Sequence, residues 1–414
     1  MTDQAIQAVT IIGAGQAGGQ AASSLRAFGF SGAITLIGEE TLPPYQRPPL
    51  SKKYLMGEVG LDHVIVKPAA SYDAEGVTLR LAVKAVGIDR AARMVRLADG
   101  QSIGYDALIL ATGARVRRLH IPGADLAGVH YLRSIADADA IGAALTPGAR
   151  LAVVGGGYIG LEVAASARKR GAEVVVLEAA ERILSRVTSP LMSTFYAGEH
   201  ARHGVEIRTN AKVEAFEGRD GRVAGVRLAG GDTLACDLAI IGVGVAPNQE
   251  LAAIAGLECR DGVIVDRLCR TSDPAIFAIG DCARRPLVHY GGDARLESVH
   301  NALEQAKIAA SVLAGRPPPA EETPWFWSDQ FDLKLQIAGL FQGYDQVVLR
   351  GDPDVRKFAA FYMHADRLLA VDAVNAPGDF LAAKQLIARD ARVAPALLAD
   401  TSVSMKEILT RLRP

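Results

Sequence analysis

One glycine signature occurs twice in this chain, each time between an apolar run and a stretch with helical character. Gly13-Ala14-Gly15-Gln16-Ala17-Gly18 follows Val9–Ile12, and Gly155-Gly156-Gly157-Tyr158-Ile159-Gly160 follows Leu151–Val154. A single G-x-G-x-x-G is a weak constraint. Here the flanks match the physical requirement, because the glycines permit a tight turn, close backbone approach to a pyrophosphate and close helix packing. The phosphates would rest on the amides and positive dipole of the helix N-terminus. Two such units predict an α/β fold with two Rossmann-like dinucleotide-binding domains, and two dinucleotides in one chain predict electron transfer from one to the other.

Each unit also offers a carboxylate near the end of its second strand, where a ribose diol would accept it as partner. Glu178 directly follows Val174–Leu177, whereas Gly38 separates Glu39 from Ile34–Ile37. A carboxylate at 178 pairs with a 2′-hydroxyl and repels a 2′-phosphate, and Ala179 and Ala180 supply no cation. NADH is therefore expected over NADPH, with Arg182 and Arg186 arguing the other way. A third run, Ile276-Phe277-Ala278-Ile279-Gly280-Asp281, reads as a buried strand that places a carboxylate at the sheet's C-terminal edge, where it would accept hydrogen bonds from a ribityl chain. The alternative for Asp281 is a helix N-cap.

Between these landmarks, Gln16–Phe28 reads as a helix and Pro43 to Lys52 as a proline-stiffened loop. Val77–Ile88, Met94–Leu97 and Ser102–Tyr105 read as antiparallel strands with a turn at Asp99-Gly100. Ala107–Leu110 is another buried strand, ending at Ala111-Thr112-Gly113. Helices are expected at 136–145, 160–170 and 297–314. Beyond the linker Arg316-Pro317-Pro318-Pro319, strands are expected at 335–339, 347–350, 358–363 and 368–374, with a helix at 379–389. The organisation expected is a discontinuous first domain, 1–115 and 243–320, a second domain, 116–242, and a small α+β C-terminal domain, 321–414.

A chain of 414 residues has room for these domains, and its net charge of −1 argues against broad affinity for nucleic acid or membranes. Met1-Thr2-Asp3-Gln4 carries no basic segment of a secretory signal, and no apolar run approaches the ~18 residues of a membrane span. The four cysteines, Cys236, Cys259, Cys269 and Cys282, form no C-x-x-C or C-x4-C pair and read as buried thiols of a reducing cytoplasm.

Taken together, the two signatures, Tyr105 to Gly113, Ile241-Gly242-Val243-Gly244 and Ile279-Gly280-Asp281 make the chain resemble the FAD-containing, NAD(P)H-dependent pyridine nucleotide oxidoreductases built like glutathione reductase. Within that group it is similar to the ferredoxin reductases of bacterial oxygenase systems, on Arg47 to Leu55, Gly155 to Glu162, Asp281-Cys282-Ala283, Glu297-Ser298-Val299 and Pro324 to Gln330. Disulfide reductases of this fold carry a C-x4-C pair after the second strand. Here the proline-rich loop and Lys52 stand in its place, no cysteine precedes Cys236, and the C-terminal His-Glu dyad is missing. Electrons must then leave the flavin directly.

The resemblance implies FAD at Gly13, Ala14, Gly15, Gln16, Ala17, Gly18, Glu39, Arg47, Lys52, Ala85, Ala111, Thr112, Gly113, Arg133, Gly280, Asp281 and Val299. It implies NADH at the second signature, Glu178 and Gly244, with Tyr158 swinging aside to admit the nicotinamide. Lys52 and Glu162 are the expected catalytic pair beside flavin N5, where lysine would stabilise charge on the reduced ring. A solvated salt bridge is the plainer alternative. The partner implied is an acidic [2Fe–2S] ferredoxin, met by Lys307, Trp325, Trp327 and Lys384. Lys334, Arg316, Arg389 and Arg392 would widen the basic patch, and a monomer is expected. A rubredoxin reductase, an NADH oxidase and a flavoprotein like apoptosis-inducing factor are the competing readings.

Overall fold

The computed structural model describes residues 6–412, so the N-terminal tetrapeptide considered above lies outside the described residues. The chain forms two compact units. One comprises the stretch ending at Gln46, Leu61–Arg115 and Ala246–Glu322; the other comprises Arg47–Gly60, Val116–Val245 and the stretch from Thr323 onward.

The first unit is built on a five-stranded parallel sheet in the order Ile276–Ala278, Ala107–Leu110, Ala8–Ile12, Ala33–Ile37, Val77–Arg80. Apart from the edge strand Val77–Arg80, where apolar and polar residues alternate, these runs are largely apolar, as strands covered on both faces must be. One face is covered by helices Gln16–Ala27 and Val299–Leu313, which meet through small residues such as Ala21, Ala22, Ala306 and Ala310. On the other, Leu108 and Leu110 share a core with Ile88, Val95 and Leu97 of a three-stranded antiparallel sheet. The turn expected at Asp99-Gly100 is present: Gln101 N donates to Asp99 Oδ1 at 3.0 Å, and Gly100 has φ +85°.

The 77–88 segment departs from the expectation of a single antiparallel strand. Val77–Arg80 pairs in parallel with Ala33–Ile37, the chain turns at Ala82 with φ +57°, and only Ala85–Asp89 joins the antiparallel sheet. Helix Ala69–Ala74, unread in the sequence, precedes it and makes the parallel crossover possible. Its six residues are too few to show a helical period.

The second unit repeats the plan with a parallel sheet ordered Val205–Arg208, Glu173–Leu177, Arg150–Val154, Leu238–Ile241, Val129–Tyr131. Helix Tyr158–Lys169 follows the second glycine turn. The C-terminal stretch folds as a five-stranded antiparallel sheet, Trp325–Gln330, Leu333–Gly339, Arg367–Val374, Lys357–His364, Gln346–Asp352, packed by helix Pro377–Ala388. The four strands and the helix expected there are present, and Trp325–Gln330 adds the edge strand. His364 closes a hairpin and pairs with Asp345 at 3.2 Å in solvent.

Candidate functional site

In the first glycine turn each glycine meets a different demand. Gly13 has φ +114°, and a Cβ there would lie 2.1 Å from Ala111 O. Gly18 brings helix against turn so closely that a Cβ would sit 1.9 Å from Gly13 O. Gly15, by contrast, faces open space, and as helix N-cap it supplies no side chain to the first-turn amides. Amides left uncapped in this way are the donors an anion would take. The Gln16 side chain leaves a buried acceptor, Oε1, with no protein partner. The uncapped backbone amides fit a pyrophosphate.

Neighbouring groups are held firmly. Thr112 Oγ1 donates to Asn248 O at 2.7 Å and Asn248 Nδ2 donates back to Thr112 O at 2.9 Å, which fixes the Ala111-Thr112-Gly113 corner. Gly280, at φ +75°, approaches Ala17 closely and donates its N–H to the buried Gln305 at 2.7 Å. Asp281 follows in a short 3-10 turn whose carbonyl accepts from Arg295 Nη1 at 3.3 Å. Ala85 opens its strand, and Val299 begins a helix capped by Ser298. Glu39 is exposed and pairs with Lys84 at 3.2 Å. Asn248 and Gln305 escaped sequence reasoning because amides distant in sequence from the motif leave no local signal.

The second turn reproduces the first. Gly155 has φ +110°, and a Cβ there would be 2.4 Å from Gly242 O. A Cβ on Gly160 would be 2.1 Å from Gly155 O, while Gly157 faces open space at an uncapped helix start. Glu178 accepts from Gly156 N at 2.7 Å and from Ala180 N at 2.8 Å, so its carboxylate is locked against the turn. Arg182 is spent on Thr188 O, Ser185 O and Ser193 Oγ, which removes one of the two cations that argued for a 2′-phosphate. Arg186 lies beside Gly244, which has φ +98° and whose carbonyl accepts from Arg117 N at 2.9 Å.

Lys52 and Glu162 meet at 2.7 Å, their side chains only 13% and 3% exposed. A solvated pair would be worth ~0–1 kcal/mol. Breaking a buried pair costs about 3–5 kcal/mol, because it strands a charge. The plainer alternative, a pair in solvent, is thus corrected. Two serines unread in the sequence complete the carboxylate's shell: Ser51 Oγ donates to Oε2 at 2.6 Å, and Ser328 Oγ to Oε1 at 2.7 Å. Ser166, one helical turn beyond Glu162, donates to Ser51 O at 2.7 Å.

Tyr158 lies one turn before Glu162 on the same helix. Its ring packs on Phe326 at 5.2 Å between centroids, and its hydroxyl is buried without a protein partner. Burial raises that phenol well above its usual range. Phe326 and Ser328 alternate on one face of the edge strand, so a single strand face meets Tyr158 and Glu162 together. The opposite face carries Trp325 and Trp327, with centroids 5.5 Å apart, and Lys384 Nζ sits 5.8 Å over the Trp325 ring. Arg47 Nη1 donates to Arg133 O at 2.5 Å, and Arg133 N to Asp137 Oδ2 at 3.0 Å. Lys307 is exposed on helix Val299–Leu313, whereas Arg392 is tied to Asp366 at 2.5 Å.

All four cysteines are free thiols. Burial pushes Cys236 up to about 11 and Cys269 to about 12, and raises Cys282 as well. Cys259, expected to be buried, is only half-buried because it lies in an isolated bridge outside the strands, yet partial burial raises it too. No thiol is poised for exchange. Among the described residues no group of histidines, cysteines or carboxylates could hold a metal, and no helix is long and apolar enough to cross a membrane.

Comparison with known proteins agrees with this geometry. The model of the pyridine nucleotide-disulphide oxidoreductase family matches residues 7–306, and that of the reductase C-terminal family matches 325–409. Rhodocoxin reductase of Rhodococcus erythropolis is 45% identical, covering 97% of this chain and 94% of its own. Putidaredoxin reductase CamA of Pseudomonas putida is 43% identical over 97% of this chain and 96% of its own. Among solved structures, the covalent putidaredoxin reductase–putidaredoxin complex matches with a TM-score of 0.96 and 42% identity, over 99% of both chains. The chain therefore belongs to the pyridine nucleotide-disulphide oxidoreductase family, as an FAD-containing, NADH-dependent oxidoreductase.

Proposed function

We propose that this protein is an NADH:ferredoxin oxidoreductase that supplies single electrons to a [2Fe–2S] ferredoxin feeding a haem-thiolate monooxygenase or a ring-hydroxylating dioxygenase. The observation that carries the reading is two uncapped, glycine-lined helix starts in a chain with three buried thiols and a fourth half-buried, all held protonated. Flavin supplies the conversion between a two-electron hydride and one-electron iron–sulfur acceptors. The first turn, with Asp281, Arg47 and Arg133, binds the FAD diphosphate and ribityl chain. The second turn, with Glu178 and Gly244, binds NADH, and Tyr158 moves to admit the nicotinamide. Lys52, oriented by Glu162, stabilises negative charge on the reduced ring.

Trp325, Trp327, Lys384 and Lys307 meet the acidic ferredoxin. Buried free thiols suit a cytoplasmic protein, and a monomer suffices for the reaction. Oxygen uptake by the purified protein with NADH, set against ferredoxin-dependent reduction of cytochrome c, tests the assignment. Slow uptake with fast ferredoxin-dependent transfer is expected. Fast uptake without ferredoxin would favour an oxidase, and negligible turnover with either would favour a binding flavoprotein.

A further inference from the structure

The hydrogen bonding of Glu162 continues well past the carboxylate. Ser328 Oγ, which donates to Glu162 Oε1, accepts from Gln330 Nε2 at 3.2 Å, and Gln330 Oε1 meets His200 Nε2 at 2.8 Å. Glu162, Ser328, Gln330 and His200 are each at most 3% exposed. They come from helix Tyr158–Lys169, edge strand Trp325–Gln330 and helix Pro190–Arg202, so the chain ties three elements of one unit together.

Proton bookkeeping fixes its direction. A hydroxyl has one proton, and Ser328 can give it to Glu162 only if Gln330 presents its NH2 group to the serine. The amide oxygen then faces His200, which must carry its proton on Nε2. Turning the amide over would draw the serine proton onto Gln330 and leave a buried carboxylate oxygen without its donor, which is costly. Burial pushes His200 down to about 4, so the imidazole is neutral at working pH. Its Nδ1, the unprotonated nitrogen of that tautomer, has no partner among the described residues.

We propose that His200, Gln330 and Ser328 form a one-way hydrogen-bond chain of positioning residues that holds Glu162, and through it the Lys52 ammonium, in the reactive arrangement. The inference rests on the assignment of Lys52 and Glu162 to the flavin reaction. The C-terminal domain then contributes to the hydride step through Ser328 as well as to partner contact.

Substitutions at 330 separate direction from packing. Ionised, the carboxylate of Gln330→Glu offers only acceptors and competes with Glu162 for the Ser328 proton; Gln330→Met keeps the volume, removes the donor to Ser328 and leaves the serine free to donate. The measurements are the flavin midpoint potential of the FAD-loaded protein, and the limiting rate and half-saturation of flavin reduction by NADH in anaerobic stopped flow. Gln330→Glu and Ser328→Ala are expected to lower the potential and slow reduction about tenfold at unchanged half-saturation. Ser328→Thr should stay within about twofold of the parent, and Gln330→Met, which removes the donor that orients the serine but adds no competing acceptor, should show an intermediate loss of about threefold. Equal losses for Gln330→Met and Gln330→Glu, a Gln330→Met protein with parental rate and potential, or a Ser328→Ala protein with parental rate and potential, would overturn the chain. Lys52→Met distinguishes the two levels: if it too is without effect, the Lys52–Glu162 assignment itself fails and this inference with it. If Ser328→Ala does not fold, the 330 pair decides alone.

Discussion

Glu178 shows how much a single residue can reveal and where local reading stops. Its place after an apolar strand marked it as a ribose partner, and the structure adds that both carboxylate oxygens already accept backbone amides, at Gly156 and Ala180. Glu178→Ala should therefore loosen the turn and lose a charge-assisted contact together. Hydrogen bonds to charged groups are worth roughly 1.5–3 kcal/mol, so the ratio of kcat/KM for NADH over NADPH should fall by about tenfold or more. Steady-state kinetics with both nucleotides check this, and an unchanged ratio would remove the ribose role. The glycines were legible for a related reason: backbone clashes as severe as 1.9 Å leave no other residue possible at Gly18. Ser328 was not legible, because its partner Glu162 lies 166 residues away and a serine next to tryptophans carries no pattern of its own.

Among the elements, long apolar strands and alanine-rich helices declared themselves, while the short crossover helix Ala69–Ala74 and the left-handed break at Ala82 did not. Breaks of that kind depend on what the segment pairs with, which is a tertiary choice. The strand pair Lys357–His364 and Arg367–Val374 hides a second feature. Asp372 is fully buried, accepts from Tyr362 OH at 2.5 Å and from Thr188, and burial raises its carboxyl to about 6. A folded-state value above the unfolded one means that the folded protein binds the extra proton between about pH 4 and 6. Ionisation of Asp372 above that window then costs stability, on the order of 1–3 kcal/mol. Asp372→Asn keeps an acceptor and removes the charge. It should raise Tm at pH 7–8, and the gap over the parent should shrink as pH falls through 6 toward 4. Thermal melts across that range check it; a gap that widens on acidification would contradict the sign.

At the scale of the whole molecule, a near-neutral chain must find its acidic partner through local charge. Lys384, on helix Pro377–Ala388 and poised over Trp325, is the residue of the C-terminal stretch best placed to do so. Lys384→Glu should raise the KM for ferredoxin several-fold and flatten its dependence on salt, with ferricyanide turnover unchanged. An equal fall with ferricyanide would place the residue in folding or in the NADH half-reaction. The duplicated plan and the absent thiol pair could be read without coordinates, since both are properties of the order of residues. The serine, glutamine and histidine behind Glu162 could not, since they converge only once three distant elements pack.

The direct exit of electrons from the flavin is the central claim. Its sharpest test is anaerobic: treat the FAD-loaded protein with a thiol-alkylating reagent, reduce it with stoichiometric NADH, then mix it with oxidised [2Fe–2S] ferredoxin and follow both chromophores. The account predicts that the flavin bleaches with NADH and is reoxidised by ferredoxin at the untreated rate. A flavin that still bleaches but no longer passes electrons on after alkylation, with the fold intact, would contradict it.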